Sequence, residues 1–238
     1  MNNISLYCLP YSGGSAAMYY KWRSELSGNI TLMPLEPAGR GTRIRQPLCQ
    51  TMAEAVDDLY QQFVKSYRGG DYAIFGHSLG GLMAFELVHY ILEQGHDMPQ
   101  ALFFSGCRPP DRVCHDEILH TRPDNDFMAE IVKLGGTPVD VFRNKELMAL
   151  FTPIIKNDYR LYEQYVFHSK PRALSCPIVL FHGDADSLIV QDELPEWEKF
   201  TDRETRTVIF PGADHFFVEK HFKQVVSFVN QTLESKAS

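Results

Sequence analysis

Tyr72-Ala73-Ile74-Phe75-Gly76-His77-Ser78-Leu79-Gly80 joins two unlike patterns. Tyr72 to Phe75 is a short apolar run suited to a buried strand. Leu79 to Gln94 is apolar around most of its circumference, as a buried helix is. Between them, Gly76 to Gly80 reads G-x-S-x-G. So sharp a strand-to-helix turn lifts the serine oxygen clear of the sheet. The helix N-terminus beside it offers N–H groups and a positive dipole end to a developing oxyanion. Glycines flank the serine because side chains would clash in so tight a turn. At ordinary Gly and Ser frequencies a chain of this length carries the pattern by chance in roughly one case in twelve, so the partners of Ser78 decide.

Outward from this elbow, strands and helices alternate. Strands are expected at Ile4–Leu9, Ile30–Leu35, Ala101–Ser105, Pro177–Phe181 and Thr205–Phe210. Helices are expected at Ser15–Leu26, capped by Ser15 or Gly14, and from Thr51 to Tyr67, where Met52, Val56, Leu59 and Phe63 form a stripe. A last helix is expected at His221–Leu233. This alternation implies an α/β fold with a mostly parallel sheet and helices on both faces. It breaks between Arg108 and Arg172, a mostly helical stretch interrupted by Pro109-Pro110, Pro123, Gly135-Gly136, Pro138 and Pro153. The expectation is one domain over 1–238, with 108–172 inserted as a helical lid above the strand C-termini, where α/β sheets bind ligands.

A serine nucleophile needs a base, and the base needs an orienting acid. In this fold class both follow the serine, acid first, each in a loop after a late strand. The run Ile178–Phe181 leads into His182-Gly183-Asp184-Ala185-Asp186, and Val208–Phe210 leads into Pro211-Gly212-Ala213-Asp214-His215-Phe216. His215 is therefore read as general base and Asp186 as the acid that fixes its tautomer. Asp184 competes with Asp186 but more simply shapes the turn, and Asp214 is too near His215 in sequence to hold its ring. His77 is expected to point away from the reacting centre, His182 to sit at a strand end, with a place behind that centre the lesser alternative, and His115, His120 and His168 to be surface residues. For the oxyanion, one N–H comes from Leu79, and the other from the loop Tyr11-Ser12-Gly13-Gly14, with Tyr11 favoured and Ser12 the alternate.

Composition bounds the reading. The net charge of −7 argues against broad binding to nucleic acid or anionic membranes. The five scattered cysteines form no C-x-x-C pair and are read as reduced thiols of a cytoplasmic protein. No metal site or cofactor is expected, because no His/Cys/Asp cluster has ligand spacing. No secretion signal and no apolar run of membrane-spanning length is seen.

The chain resembles the stand-alone type II thioesterases of nonribosomal peptide and polyketide assembly lines. The matching pieces are Leu9-Pro10-Tyr11-Ser12-Gly13-Gly14, Glu36-Pro37-Ala38-Gly39-Arg40-Gly41, the elbow, Ser105-Gly106-Cys107-Arg108-Pro109-Pro110, Leu134-Gly135-Gly136-Thr137-Pro138, Gly183-Asp184-Ala185-Asp186 and Gly212-Ala213-Asp214-His215. The resemblance implies an α/β-hydrolase fold with a helical lid. It also implies hydrolysis of acyl groups from the phosphopantetheine thiol of acyl or peptidyl carrier proteins, with the family's serine, acid and histidine on Ser78, Asp186 and His215. Thioesterase domains fused to their synthase commonly carry the acid just after the strand preceding the lid. Here that place holds Ser105-Gly106-Cys107, without a carboxylate, which fits the stand-alone type. Only three residues precede the first strand, so the antiparallel N-terminal strand of many hydrolase-fold enzymes looks absent.

The expected partner is thus a carrier protein, with the enzyme a monomer. Phe127, Met128, Ile131, Val141 and Phe142 are candidates either for an exposed docking face of the lid or for its core, and Arg40, Arg43 and Arg45 either for meeting a phosphate or for a solvated basic loop or internal salt bridges. The competing readings are a carboxylesterase or acyltransferase of small free esters and thioesters, which the same triad would serve, and a catalytically silent binding protein.

Overall fold

The computed structural model describes residues 3–113, 118–135 and 144–234. Six strands, β1 (Ile4–Leu9), β2 (Ile30–Pro34), β3 (Tyr72–His77), β4 (Leu102–Ser105), β5 (Ile178–Gly183) and β6 (Thr205–Phe210), form one sheet. Its order is β2-β1-β3-β4-β5-β6, and every pairing is parallel.

Alternate residues of each strand enter opposite layers, as the period of two requires. Ile74, Leu102, Phe104, Ile178 and Leu180 pack on one face against α1 (Met52–Ser66) and α2 (Leu79–Glu93), through Leu59, Phe63, Leu82, Phe85 and Val88. Ala73, Phe75, Phe103, Val179 and Phe181 pack on the other against Tyr19, Trp22 and the C-terminal helices. Strands covered on both faces read as continuous apolar runs rather than alternating ones. Thr51 caps α1 by accepting the Glu54 amide at 3.2 Å, and Glu54 reaches back to the Gln50 amide at 2.6 Å.

Two local expectations change. The segment expected as a helix over Ser15–Leu26 is a 3-10 helix over Ala16–Ser24, and Ser15 makes no side-chain cap. The Ala16 amide goes instead to the buried Glu36 carboxylate at 2.9 Å. Pro153 does not interrupt its helix: α3 (Asp124–Leu134) is followed by α4 (Lys145–Glu163), which runs through Pro153. Its tertiary contacts at Ile155 and Leu161 outweigh the backbone hydrogen bond a proline removes.

Helices α3 and α4 lie between β4 and β5 and share a small core of Phe127, Met128, Ile131 and Ile155. The chain closes with α5 (Phe217–Lys220) and α6 (Phe222–Glu234). A parallel sheet covered on both faces, with a helical insertion before β5, is the α/β-hydrolase fold.

The elbow sets the tightest packing constraint. A Cβ on Gly80 would lie 2.3 Å from the Leu9 carbonyl oxygen and 2.5 Å from that of Pro10, and neither backbone atom can rotate away. We expect Gly80→Ala to lower unfolding free energy by at least about 2 kcal/mol. Gly28→Ala, with nothing within 4 Å, should stay within about 0.5 kcal/mol of the parent. Urea unfolding of both variants checks this, and equal midpoints would remove the constraint.

Candidate active site

Ser78 joins β3 to α2 at φ 55° and ψ −123°, and it is the one described non-glycine residue with a positive φ. This left-handed region is costly for a residue with a Cβ. Neighbours hold it there: the Ser78 amide donates to the Ser105 carbonyl at 2.8 Å, and Gly76 meets the backbone of Gly80 and Gly81 too closely for any side chain.

The two late loops meet beside it. β5 and β6 are paired up to Gly183 and Phe210, so the turns that follow leave the sheet together. A Cβ on Gly183 would lie 2.2 Å from the Ala213 carbonyl, which explains the glycine and shows how closely the turns approach. The His215 ring sits 2.7 Å through Nδ1 from Asp186 Oδ2, and both side chains are almost fully buried. Asp186 Oδ1 accepts the Leu188 amide at 2.9 Å, which fixes the carboxylate. With Nδ1–H donating to Asp186, Nε2 keeps its lone pair, the tautomer that a general base needs.

The competing carboxylates are engaged elsewhere. Asp184 accepts the Gly212 amide at 2.6 Å, and Asp214 pairs with Lys220 and accepts the Phe216 amide at 3.1 Å. Of the three acids in these turns, it is Asp186 that bonds the His215 ring.

Ser78 and His215 line one cavity of about 270 Å³. Ser12, Gly106, Cys107 and Leu188 belong to its core side, while Leu119, Leu134, Tyr159, Tyr162 and Glu163 come from the insertion. A smaller adjoining pocket adds Tyr11, Ile131 and Phe216 to the same serine and histidine. Burial pushes the Cys107 thiol up to about 12.

His77 is closer to the site than the sequence implied. Its Nδ1 lies 2.8 Å from the Ser105 hydroxyl, its ring centroid is 5.1 Å from that of His215, and its Nε2 is buried without a partner. Burial, then the neighbouring His215, holds its pKa well below the ordinary histidine value. His182 stands buried at the end of β5, lowered by burial against the opposing pull of Asp186 and Asp184.

Other expectations are corrected. His120 is not a free surface group but pairs with Glu163, which also accepts the Leu119 and His120 amides. Arg40 is buried against Asp158 and Arg43 is paired with Asp58, so neither is offered to a docking phosphate, while Arg45 is exposed. Phe127, Met128 and Ile131 are core residues of the insertion rather than a docking face. Val141, Phe142, His115, Cys114 and Gly136-Thr137-Pro138 lie outside the described residues. Cys8, Cys49 and Cys107 are free thiols. Among the described residues no trio of His, Cys, Asp or Glu is arranged to hold a metal, and no helix is long and apolar enough to cross a membrane.

Asp158 and Glu163, both on α4, were not singled out from the sequence. The signal available was two acids on the inward stripe of an amphipathic helix, on which Ile155 and Leu161 are also buried. Their partners lie far away in the chain, and only the fold brings them near.

The thioesterase domain family profile matches residues 5–233. Thioesterase PikA5 of Streptomyces venezuelae is 30% identical over 231 residues, which is 97% of this chain and 81% of that protein. A crystal structure of ClbQ from the colibactin NRPS/PKS pathway superposes with a TM-score of 0.96 at 82% identity, covering 98% of each chain. The type II thioesterase BorB from the borrelidin biosynthetic cluster superposes with a TM-score of 0.87 at 29% identity, covering 97% of this chain and 93% of that one.

The buried, neutral His77 should be visible in stability against pH. The unfolded chain binds a proton at this side chain below about pH 6.5, and the folded chain does not. Stability should therefore fall as pH drops below about 6.5, down to the depressed folded pKa. His77→Gln, which can still bond Ser105, should lose less stability between pH 7 and pH 5 than the parent in urea unfolding. Identical losses would place the titration elsewhere.

Proposed function

The chain belongs to the thioesterase domain family, and on that premise we propose that it hydrolyses acyl groups from the phosphopantetheine thiol of acyl or peptidyl carrier proteins. It is a serine hydrolase of the type II kind, and its relatives serve nonribosomal peptide and polyketide pathways. The observation that carries the reading is the His215–Asp186 bond, beside an elbow serine that opens into the same cavity.

In the proposed reaction Ser78 Oγ attacks the thioester carbonyl while His215 Nε2 takes its proton. Asp186 holds the imidazole and stabilises the imidazolium. The oxyanion is received by the amides of Leu79 and Tyr11, with Ser12 as alternate to Tyr11. Leu79 opens α2, so its amide has no partner one turn back in its own helix. The Gly13 amide is committed to Asp158 at 2.7 Å and that of Gly14 to the Tyr11 carbonyl at 2.9 Å, which supports assigning the earlier amides of this loop to the oxyanion. The thiol departs with the proton from His215. Water then adds to the acyl-serine with His215 again as base, releasing the acid. A thiol of pKa near 8.5 leaves readily, so the nucleophile and the oxyanion donors carry most of the catalysis.

We assign residues 108–172 the role of a lid over this site, within a single hydrolase domain. The insertion exposes Ile118, Val132, Leu147 and Leu150, and these replace the buried Phe127, Met128 and Ile131 as the docking face for a carrier. The 82% identity with ClbQ supports a partner synthase of the colibactin kind.

Ser78→Ala should reduce turnover of an acyl-carrier by on the order of 10⁴-fold or more without changing the fold. Turnover near that of the parent would end the triad assignment. Acetyl-, longer acyl- and aminoacyl-loaded carriers, compared with the same acyl groups on free N-acetylcysteamine, should show higher kcat/KM for the carried forms. Equal values would leave a hydrolase of small free thioesters. Leu150→Glu should raise KM for the carrier substrate and leave free thioester hydrolysis unchanged.

A further inference from the structure

One carboxylate of the insertion reaches the catalytic loop. Asp158, on α4, has no exposed side-chain surface. Its Oδ2 accepts the Gly13 amide at 2.7 Å and one Arg40 nitrogen at 2.6 Å, and its Oδ1 accepts the second Arg40 nitrogen at 2.6 Å. Arg40 also reaches the Gly14 carbonyl at 3.3 Å. One turn earlier on α4, Ile155 presses on Gly13, where a Cβ would lie 2.7 Å from Ile155 Cγ1. Gly13 takes φ +77° there, a conformation glycine adopts without strain.

The loop from Pro10 to Gly14 is therefore gripped from both sides. Gly80 at the start of α2 lies under the Leu9 and Pro10 carbonyls, and α4 holds Gly13 from above. An amide that serves an oxyanion must not be committed to a protein acceptor, so it cannot anchor its own loop. Neighbouring groups have to keep it in place, because an oxyanion donor works only when already oriented.

We propose that Asp158 is a positioning residue for the oxyanion hole, holding the Tyr11 amide in line through Gly13, so that α4 is a working part of the catalytic centre. This rests on the reading of Leu79 and Tyr11 as oxyanion donors given above. Lifting α4 would separate Asp158 from Gly13 and Arg40 together. Substrate admission by movement of α4 would therefore switch the hole off until the helix is seated again.

A purely structural ion pair makes a different prediction. Removing one partner of a buried pair strands a charge, whereas replacing both by apolar residues often restores stability. The decisive variant is therefore Arg40→Met with Asp158→Leu. Its thermal unfolding should stay near that of the parent. Its KM for acyl-N-acetylcysteamine should change little, and kcat should fall by about 10- to 100-fold. A trifluoromethyl ketone analogue of the acyl group, which forms an oxyanion on Ser78, should lose affinity by a similar factor. The matching thioether, which forms none, should bind as before.

A stable double variant with kcat and ketone affinity within about twofold of the parent, well short of the loss of an oxyanion donor, would overturn the proposal. If the double variant does not fold, Asp158→Asn and Asp158→Ala decide. Asparagine still offers Gly13 an acceptor, so its kcat should exceed that of alanine at a temperature where both are folded. Equal kcat values would overturn the proposal. The ketone and the small thioester need no carrier, so the two readings fail separately. A parent chain that binds the ketone yet ignores carriers defeats carrier recognition alone, and an unaffected double variant defeats the positioning role alone.

Discussion

The structure turns on one strained residue. Ser78 must pass from strand to helix at φ 55°, a conformation that a residue with a Cβ resists. Its surroundings remove every alternative. The Ser105 carbonyl on β4 takes its amide, Gly76 and Gly80 let backbone approach backbone, and the carbonyls of Leu9 and Pro10 close the space beneath. These contacts require β1, β3 and β4 to be neighbours in this order, so the sheet topology and the exposure of one hydroxyl are a single constraint.

The grouping proposed as catalytic could be assembled from the sequence because its parts are local and ordered. Each of Ser78, Asp186 and His215 follows an apolar run that becomes a strand, and a parallel sheet brings such loops to one edge. The choice between Asp186 and Asp184 was also readable, since turn geometry gives Asp184 the Gly212 amide. What stayed hidden depends on distant partners. Nothing near Arg40 or Arg43 in sequence says that both are already paired, because Asp158 and Asp58 lie on separate helices. Phe127, Met128 and Ile131 looked equally suited to a surface or a core. The packing partner Ile155, across an insertion whose path periodicity cannot trace, settles the matter.

The insertion combines two roles. Its small apolar core makes it a layer with its own cohesion, while Leu134, Tyr159 and Glu163 give it part of the cavity wall. The ion pair to Arg40 then joins this layer to the loop that follows β2 at a buried point.

Cys107 carries a last consequence. It sits in the wall of the cavity, and burial raises its thiol to about 12. Thiol–thioester exchange proceeds through the thiolate. An ordinary cysteine is only a few per cent thiolate at pH 7, and burial lowers that fraction further. Kept protonated, the Cys107 thiol in the cavity wall is a poor nucleophile.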